Sequence, residues 1–403
     1  MYPKLRPLQP VPTTHAGRAG FVLRDPLALS EQALFLPRGL APLLALCDGT
    51  RDLSGLQAAL MIRFGVRASL DVLAQLVAQF DAAYLLDNER FAEAHDAALA
   101  TYRDASCRRP KLAGKSYPAD PDQLAAYLAA FEAELPPDER ASKTDAEVRG
   151  VVCPHIDFQR GGRVYAGLWR RAAEAAREAE LIVVLGTDHN SGNLLTLTRQ
   201  HYATPWGALS TAHAAVETLA HAIGEEEAFR DELHHQVEHS IELAVVWLHA
   251  ALGDRRPDLV PVLVGPFQGF VDGQSSLDSD ERLTRAVETL REIASRQRTL
   301  VIAAADLAHM GPAFGGRPLD LLGQAQLKRA DDQLLGAICE GDAGGFFGHI
   351  AAEGDRRNIC GLPPIYLTLR TLGHSHGQVT GYEICPADQA NTSSVSVAGV
   401  LLW

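Results

Sequence analysis

The 403-residue sequence is short of positive charge: 37 Lys and Arg stand against 50 Asp and Glu, for a net charge of −13. A surface built for nucleic acid or an anionic membrane needs the opposite field, so neither partner is expected. Cysteine is sparse. Cys47, Cys107, Cys153, Cys339, Cys360 and Cys385 are scattered with no C-x-x-C pair, which argues against a disulfide framework and reads as reduced thiols of a cytoplasmic protein. No apolar run reaches membrane-spanning length, and the opening "MYPKLRPLQPVPTTHAGRAG" lacks the apolar core of a signal peptide. Neither a G-x-G-x-x-G following a strand nor a Walker loop is present, so no nucleotide cofactor is expected.

What remains is a chain with 47% hydrophobic residues, ample for the cores of two domains. Residues 1–20, rich in Pro, Thr and Gly, read as a flexible arm. Residues 21–95 read as a small, mainly helical, winged-helix-like domain. "LSEQALFLPRGLAPLLALCDGT" suggests a Leu-rich helix and a turn at Asp48-Gly49-Thr50, followed by a helix capped by Asp52 or Ser54. "LDVLAQLVAQFDAAYLLD" then shows 3–4 spacing and a short strand-like end. An Ala-rich linker over 96–107 leads to residues 108–403. There Pro118 and Asp120 precede an amphipathic helix, "PPDERASKTDAEVRG" reads as a loop, and Gly161-Gly162 separate a strand from the next helix. "RGVVCP", "LIVVLG", "LVPVLVGP" and "TLVIAAAD" are short apolar runs alternating with helical stretches. This is the pattern of an α/β domain with a mostly parallel central sheet covered on both faces. "QVTGYEICP" and "SSVSVAGVLLW" look like closing strands.

Ligand sites of such sheets lie beyond the carboxyl ends of the strands. Three runs end in ionisable residues: "VVCPH" in His155, "LIVVLGTDH" in Asp188 and His189, and "TLVIAAADLAH" in Asp306 and His309. Converging there, the imidazoles and one anionic ligand would make a three-point metal site with open positions. Cys360, before Gly361 and the helix opened by Pro363-Pro364, is the candidate anion, since a helix N-terminus favours a thiolate. A buried structural cysteine is equally open. "LHHQVEHSIE" adds H-x-x-E-H in His235, Glu238 and His239, the inverted zinc-protease pattern; a later helix would have to supply its third carboxylate ligand. In the other reading His239 faces the pocket as an acid/base or supporting group. Glu242, three residues on, orients it, and the adjacent His234 and His235 do not share that face. His374 and His376 in "GHSHG" read as a solvated loop.

"AGKSYPADPDQL", "CPHIDFQRGG", "VLGTDHN", "EHSIEL", "LVPVLVG", "ADLAH", "ICG" and "SSVSVAG" occur in this order. Together they resemble the Memo-like family (AmmeMemoRadiSam system protein B) over residues 108–403. The resemblance implies the fold of class III extradiol dioxygenases, which are non-haem iron enzymes. It places the metal ligands on His155, His189 and Cys360, and the pocket Asp and His on Asp306 and His309. Two departures stand out. "PHIDF" puts Asp157 and Phe158 near the metal in place of Ala-Gly-Tyr, and "KSY" puts Ser116 where an aromatic wall is usual. The family motif holds "EHSIE" without His235, so the protease match looks fortuitous. "LPRGLAPLLALCDGTRDL" resembles PqqD-like peptide-binding winged helices.

The implied protein is a metal-dependent oxidoreductase acting on a small molecule or peptide-borne group. Fe(II) is the expected metal, with Cu or Zn as alternatives because a thiolate softens the site. His309 or His239 is the expected base, with Asp306 fixing its ring. A leader peptide or a radical SAM system is the expected partner of the N-terminal domain. The rival is a non-catalytic metal-binding or interaction protein on the same fold.

Overall fold

The computed structural model describes residues 2–136, 146–190 and 192–403. The chain divides into two units, one ending at Asp104 and one spanning Ala105–Trp403. In the first, β1 (Val11–His15), β2 (Arg18–Arg24) and β3 (Ala33–Pro37) form an antiparallel sheet in that order. The second half of the expected arm over 1–20 is therefore a hairpin, with residues 11–15 and 18–20 in its strands. Ala16 and Gly17 both take positive φ, the two-residue turn that matches the twist of a hairpin. Pro12 is tolerated because β1 is an edge strand.

Helices follow at Leu43–Leu46, Leu53–Phe64, Leu70–Ala82 and Glu89–Asp104. Asp52 caps the second by accepting the Gly55 N–H. The expected Leu-rich helix begins later than anticipated, because Ala33–Pro37 pairs with β2. "AYLLD" gives a single bridge, Leu86 to Leu5, instead of a strand. Residues 96–104 of the expected linker lie within the last helix. Arg6 is drawn inside by a 2.7 Å ion pair with buried Asp25.

In the second unit the four apolar runs become β4 (Gly150–Cys153), β5 (Leu181–Thr187), β9 (Asp258–Val264) and β10 (Thr299–Ala304). They lie side by side and parallel, in the order β4-β10-β5-β9. Short β6 (Leu195–Leu197) closes one edge antiparallel to β9, while β7 (Tyr202–Thr204) and β8 (Gly207–Leu209) form a separate hairpin. At the other edge β13 (Ser394–Leu402) runs antiparallel to β4 and pairs with β11 (His309–Met310) and β12 (Gly377–Pro386).

Successive side chains of β5 enter opposite cores. Val183 and Leu185 join the core with the His213–Ile223, Glu281–Arg296 and Leu362–Leu372 helices. Ile182 and Val184 join that of the Phe158–Glu178 and Ser240–Leu252 helices. Each such side chain contributes about 1.5–3 kcal/mol on burial. Gly161 and Gly162, expected before the helix, sit inside its first turns. A Cβ on them would come within 2.4 Å of the Ile156 side chain and 2.5 Å of the Phe131 ring, so the pair allows close packing and makes no turn. The loop expected over 136–150 falls largely outside the described residues. Among the described residues no helix is long and apolar enough to cross a membrane.

Because β4, β10 and β5 are neighbours, their carboxyl ends bring His155, Asp306, Asp188 and His189 to one edge of the sheet.

Candidate metal centre

His155 is buried two residues beyond β4. Its Nδ1 lies 2.9 Å from the Ala304 carbonyl at the end of β10. A carbonyl only accepts, so Nδ1 carries a proton and Nε2 is the nitrogen a metal can take. The Asp306 carboxylate accepts the backbone N–H groups of His155 (2.8 Å) and Ile156 (3.2 Å). It was expected to fix the ring of His309 or His239; instead it fixes the turn that carries His155.

His189 and His239 share one support. Glu238, buried, places Oε2 3.1 Å from His189 Nδ1 and accepts the His189 N–H at 3.0 Å. Its Oε1 lies 2.8 Å from His239 Nδ1 and accepts the N–H groups of His239 and Ser240. A single carboxylate thus sets both tautomers and turns both Nε2 atoms outward, the usual support of a metal-bound imidazole. One nitrogen from each of His155, His189 and His239 lies within 4.8 Å of the others. This donor set fits a metal ion.

Cys360, expected as a ligand, is not one of this group of three but stands beside it, on the loop before the Leu362–Leu372 helix. Its Sγ stands 3.3 Å from His155 Nε2, and its carbonyl accepts the Thr187 hydroxyl at 2.9 Å. Gly361 is required next to it: a Cβ there would meet the Asp306 carbonyl at 2.3 Å.

The electrostatics of these groups are mutual. Burial alone would lower the pKa of His155, but Asp306 and Cys360 outweigh it and push the value up to about 9. Burial would raise the Cys360 thiol; the His155 charge, then His309 and hydrogen bonds from His155 and His189, hold it well below the ordinary range. His189 is raised well above its usual value, its burial outweighed by Glu238, and Glu238 is correspondingly held well below the carboxylate range. The protein has assembled negative charge around imidazole nitrogens, the arrangement a cation can take over by displacing protons.

The cluster opens on a cavity of about 550 Å³ whose lining includes Leu112, Ser116, Asp157, Arg160, His309 and Phe314. His309 is present with its Nδ1 3.2 Å from the carbonyls of Leu307 and Asn358. Ser116 stands in the wall. Asp157 also lines the cavity, where it caps the Phe158–Glu178 helix and pairs with Arg160 at 2.6 Å. Phe158, expected near the metal, is packed away among Tyr117, Tyr165 and Trp247.

The H-x-x-E-H pattern does not form a site. Its helix stops at Val237, and Glu238 has extended backbone (ψ 140°) before a new helix starts at Ser240. The i, i+4 geometry that would put two histidines on one face is lost. His235 turns inward, donating from Nε2 to the Thr196 carbonyl (3.0 Å) and accepting from the Tyr202 hydroxyl at Nδ1 (2.6 Å). Neither nitrogen is left for a metal.

Glu242, expected to orient His239, instead binds the Arg108 guanidinium, the Tyr117 hydroxyl (2.6 Å) and the N–H groups of Lys111 and Leu112. Asp188 pairs with His234 at 3.0 Å and does not line the cavity. His374 and His376 meet edge to face with ring centroids 5.2 Å apart but belong to no metal-holding group among the described residues. Arg108 escaped the sequence reading. Fully buried, it also donates to the carbonyls of His235 and Glu238, each at 2.8 Å. "CRRPK" gives no signal to separate it from the neighbouring Arg109.

Fold and site together define an α/β protein with a three-histidine candidate metal centre at the carboxyl edge of a mostly parallel sheet. The chain belongs to the Memo-like protein family, whose model matches residues 108–401. It is 26% identical to a MEMO1 family protein of Aquifex aeolicus over 95% of this chain and 96% of the relative. Identity is 27% to one from Thermus thermophilus (87% and 99%) and 27% to one from Methanopyrus kandleri (68% and 91%).

Proposed function

We propose that this Memo-like protein is a metal-dependent oxidoreductase of the non-haem iron kind, acting on a small molecule or peptide-borne group. The observation that carries the reading is the convergence of three imidazoles, each with Nδ1 engaged, that line a cavity and have a thiol of depressed pKa 3.3 Å from one of them. Iron bound there supplies Lewis acidity and one-electron chemistry with dioxygen. His155, His189 and Cys360 are the proposed holders, with His239 facing the same space as a fourth donor or as the base. His309, in the wall, accepts or returns a substrate proton through Nε2, since its Nδ1 points at carbonyls. The apolar wall of Leu112 and Phe314 limits water access to that proton.

The test is anaerobic reconstitution with Fe(II), followed by oxygen uptake with catechols and short peptides. Uptake that disappears in Cys360→Ser and His309→Ala is the expected result. Stoichiometric metal with no uptake on any substrate moves the protein to a metal-handling role. The placement of His239 within the imidazole group favours a second donor set, His155, His189 and His239. Undiminished metal content in Cys360→Ser, with loss in His239→Ala, selects it.

The same proposal gives the N-terminal unit the task of recruiting a peptide partner. The supporting feature is an exposed apolar group at Met61, Ile62, Phe64, Leu70 and Val72. Unchanged peptide affinity in Ile62→Ser with Phe64→Ser counts against it.

A further inference from the structure

The loop that delivers Cys360 is bent against its own preferences. Asp355 and Asn358 both have positive φ, 47° and 51°, a region that Asp and Asn enter at modest cost and other side chains avoid. Something must hold it there. Between them, Arg357 is 4% exposed, and its guanidinium reaches the fully buried Asp331 of the Leu321–Cys339 helix at 2.6 Å and Glu353 at 2.5 Å. Asp331 also accepts the Tyr382 hydroxyl at 2.8 Å and a hydrogen bond from Ser396.

Each end of this network leads to the metal centre. The Arg357 carbonyl accepts the His309 N–H at 2.7 Å. Asn358 donates to the His309 carbonyl at 3.1 Å, and its own carbonyl faces His309 Nδ1 at 3.2 Å. Ser396 accepts the Ala308 N–H at 3.0 Å. Two residues beyond Asn358 comes Cys360.

We propose that the buried Asp331–Arg357 pair is the positioning device of the centre. It sets the 353–360 loop, and with it the Cys360 sulfur and the His309 ring, from outside the cavity. The inference rests on the reading of Cys360 as a metal ligand. A buried ion pair is a poor way to gain stability, because desolvation cancels much of the attraction and apolar residues of equal volume serve as well or better. What apolar residues cannot do is fix direction. A planar guanidinium holding two carboxylates does so, and its own backbone carbonyl is then aimed at His309.

The experiment uses the full chain with Co(II) as a spectroscopic probe. Arg357→Lys keeps the charge but loses the fork; Tyr382→Phe and Asn358→Ala are gentler changes. Arg357→Lys is expected to bind cobalt about 10–100-fold more weakly, with a diminished sulfur-to-cobalt charge-transfer band. In the metal-free protein it should alkylate faster at the Cys360 peptide by mass spectrometry. The two gentler variants should move the same readouts less and in the same direction. Should Arg357→Lys fail to fold, those two decide the matter.

The double variant Asp331→Leu with Arg357→Met separates position from stability. Because it also takes the partner from Glu353 and from the Tyr382 and Ser396 hydroxyls, it is expected to melt below the native chain but above either single change, yet to keep the weak, altered cobalt signal. Native affinity, band and alkylation rate in the loop variants, or in the double variant, overturns the inference. Cys360→Ser tests the underlying reading separately: an unchanged cobalt spectrum there removes Cys360 from the ligand set. A changed spectrum there beside native loop variants removes only the positioning role.

Discussion

Two regions supply the candidate metal centre, and they are held in different ways. His155 and His189 lie just past β4 and β5, parallel strands whose backbones are fixed by ladder hydrogen bonds on both sides. His239 and Cys360 come from irregular backbone, the break between two helices at Glu238 and the twice-bent loop before Leu362. Past β4 a main-chain group orients the ring, the Ala304 carbonyl for His155, with the Asp306 carboxylate fixing the backbone beneath it. Past β5 and in the irregular region buried charged side chains take over: Glu238 for the rings of His189 and His239, Arg108 and Glu242 for the turn that carries Glu238. The difference teaches that a sheet edge fixes where the backbone of an imidazole starts, whereas aiming its ring, or holding a donor on a turn, needs buried, fully bonded charges, each of which is a point of failure.

The sharpest way to break the contrast is Glu242→Gln. The change leaves the Arg108 guanidinium buried opposite a neutral amide and turns an N–H₂ group toward the N–H of either Lys111 or Leu112. Breaking a buried pair from one side costs about 3–5 kcal/mol, so a large drop in urea midpoint is expected, along with loss of metal. A drop no larger than that of a surface Glu→Gln control would show that the turn holds itself.

A somewhat smaller effect is expected from acid. His235 is buried and neutral, its pKa pushed by burial down to about 4. The unfolded chain takes up its proton near 6.5, so as pH falls below that value the unfolded state binds the proton first. Stability from this group is complete above about 6.5 and is lost as pH falls toward 4. At 1.4 kcal/mol per unit the loss is on the order of 3 kcal/mol. The check is the difference in unfolding free energy between the native chain and His235→Asn, followed from pH 7 to 4. A flat difference contradicts the neutral, doubly bonded ring.

The same contrast explains what could be read from the sequence. Near-continuous Val, Ile and Leu runs announce buried parallel strands, and the residues just past each run fall at the carboxyl edge of the sheet. Hence His155, His189 and Asp306 were legible as neighbours, as was the Asp52 cap. The role of Asp306 was not, because its partners are the backbone N–H groups of His155 and Ile156, which every sequence has. The break at Glu238 that separates His235 from His239 carries no Pro or Gly to mark it. Glu242 lies beyond that break with His239, and it misled because its partners Arg108, Lys111, Leu112 and Tyr117 are more than a hundred residues away in the chain. In the N-terminal unit, Pro12 and Gly17 suggested a loose arm where they serve an edge strand and its hairpin turn.

The finest test lies on Glu238 itself, where both regions meet because one carboxylate serves a strand-end histidine and a turn histidine. Its two oxygens face five N–H groups: the backbone and Nδ1 of His189, the backbone and Nδ1 of His239, and the backbone of Ser240. In Glu238→Gln the amide nitrogen must face at least two of them whichever way it turns, so one histidine ring keeps its support and the other loses it. Loss of such support lowers metal affinity about 10–100-fold, or roughly 1.4–2.7 kcal/mol at 1.4 kcal/mol per tenfold. One oxygen faces the two groups of His189 and the other faces three, of which the backbone N–H groups of His239 and Ser240 cannot change tautomer, so the glutamine oxygen should settle on the His239 side and leave His189 to its strand. Nitrogen chemical shifts of the two imidazoles in the metal-free variant would report this, with His189 changing tautomer and His239 keeping its own. If His239 gives way first, the backbone N–H groups of the turn do not command the carboxylate and the contrast between the regions fails.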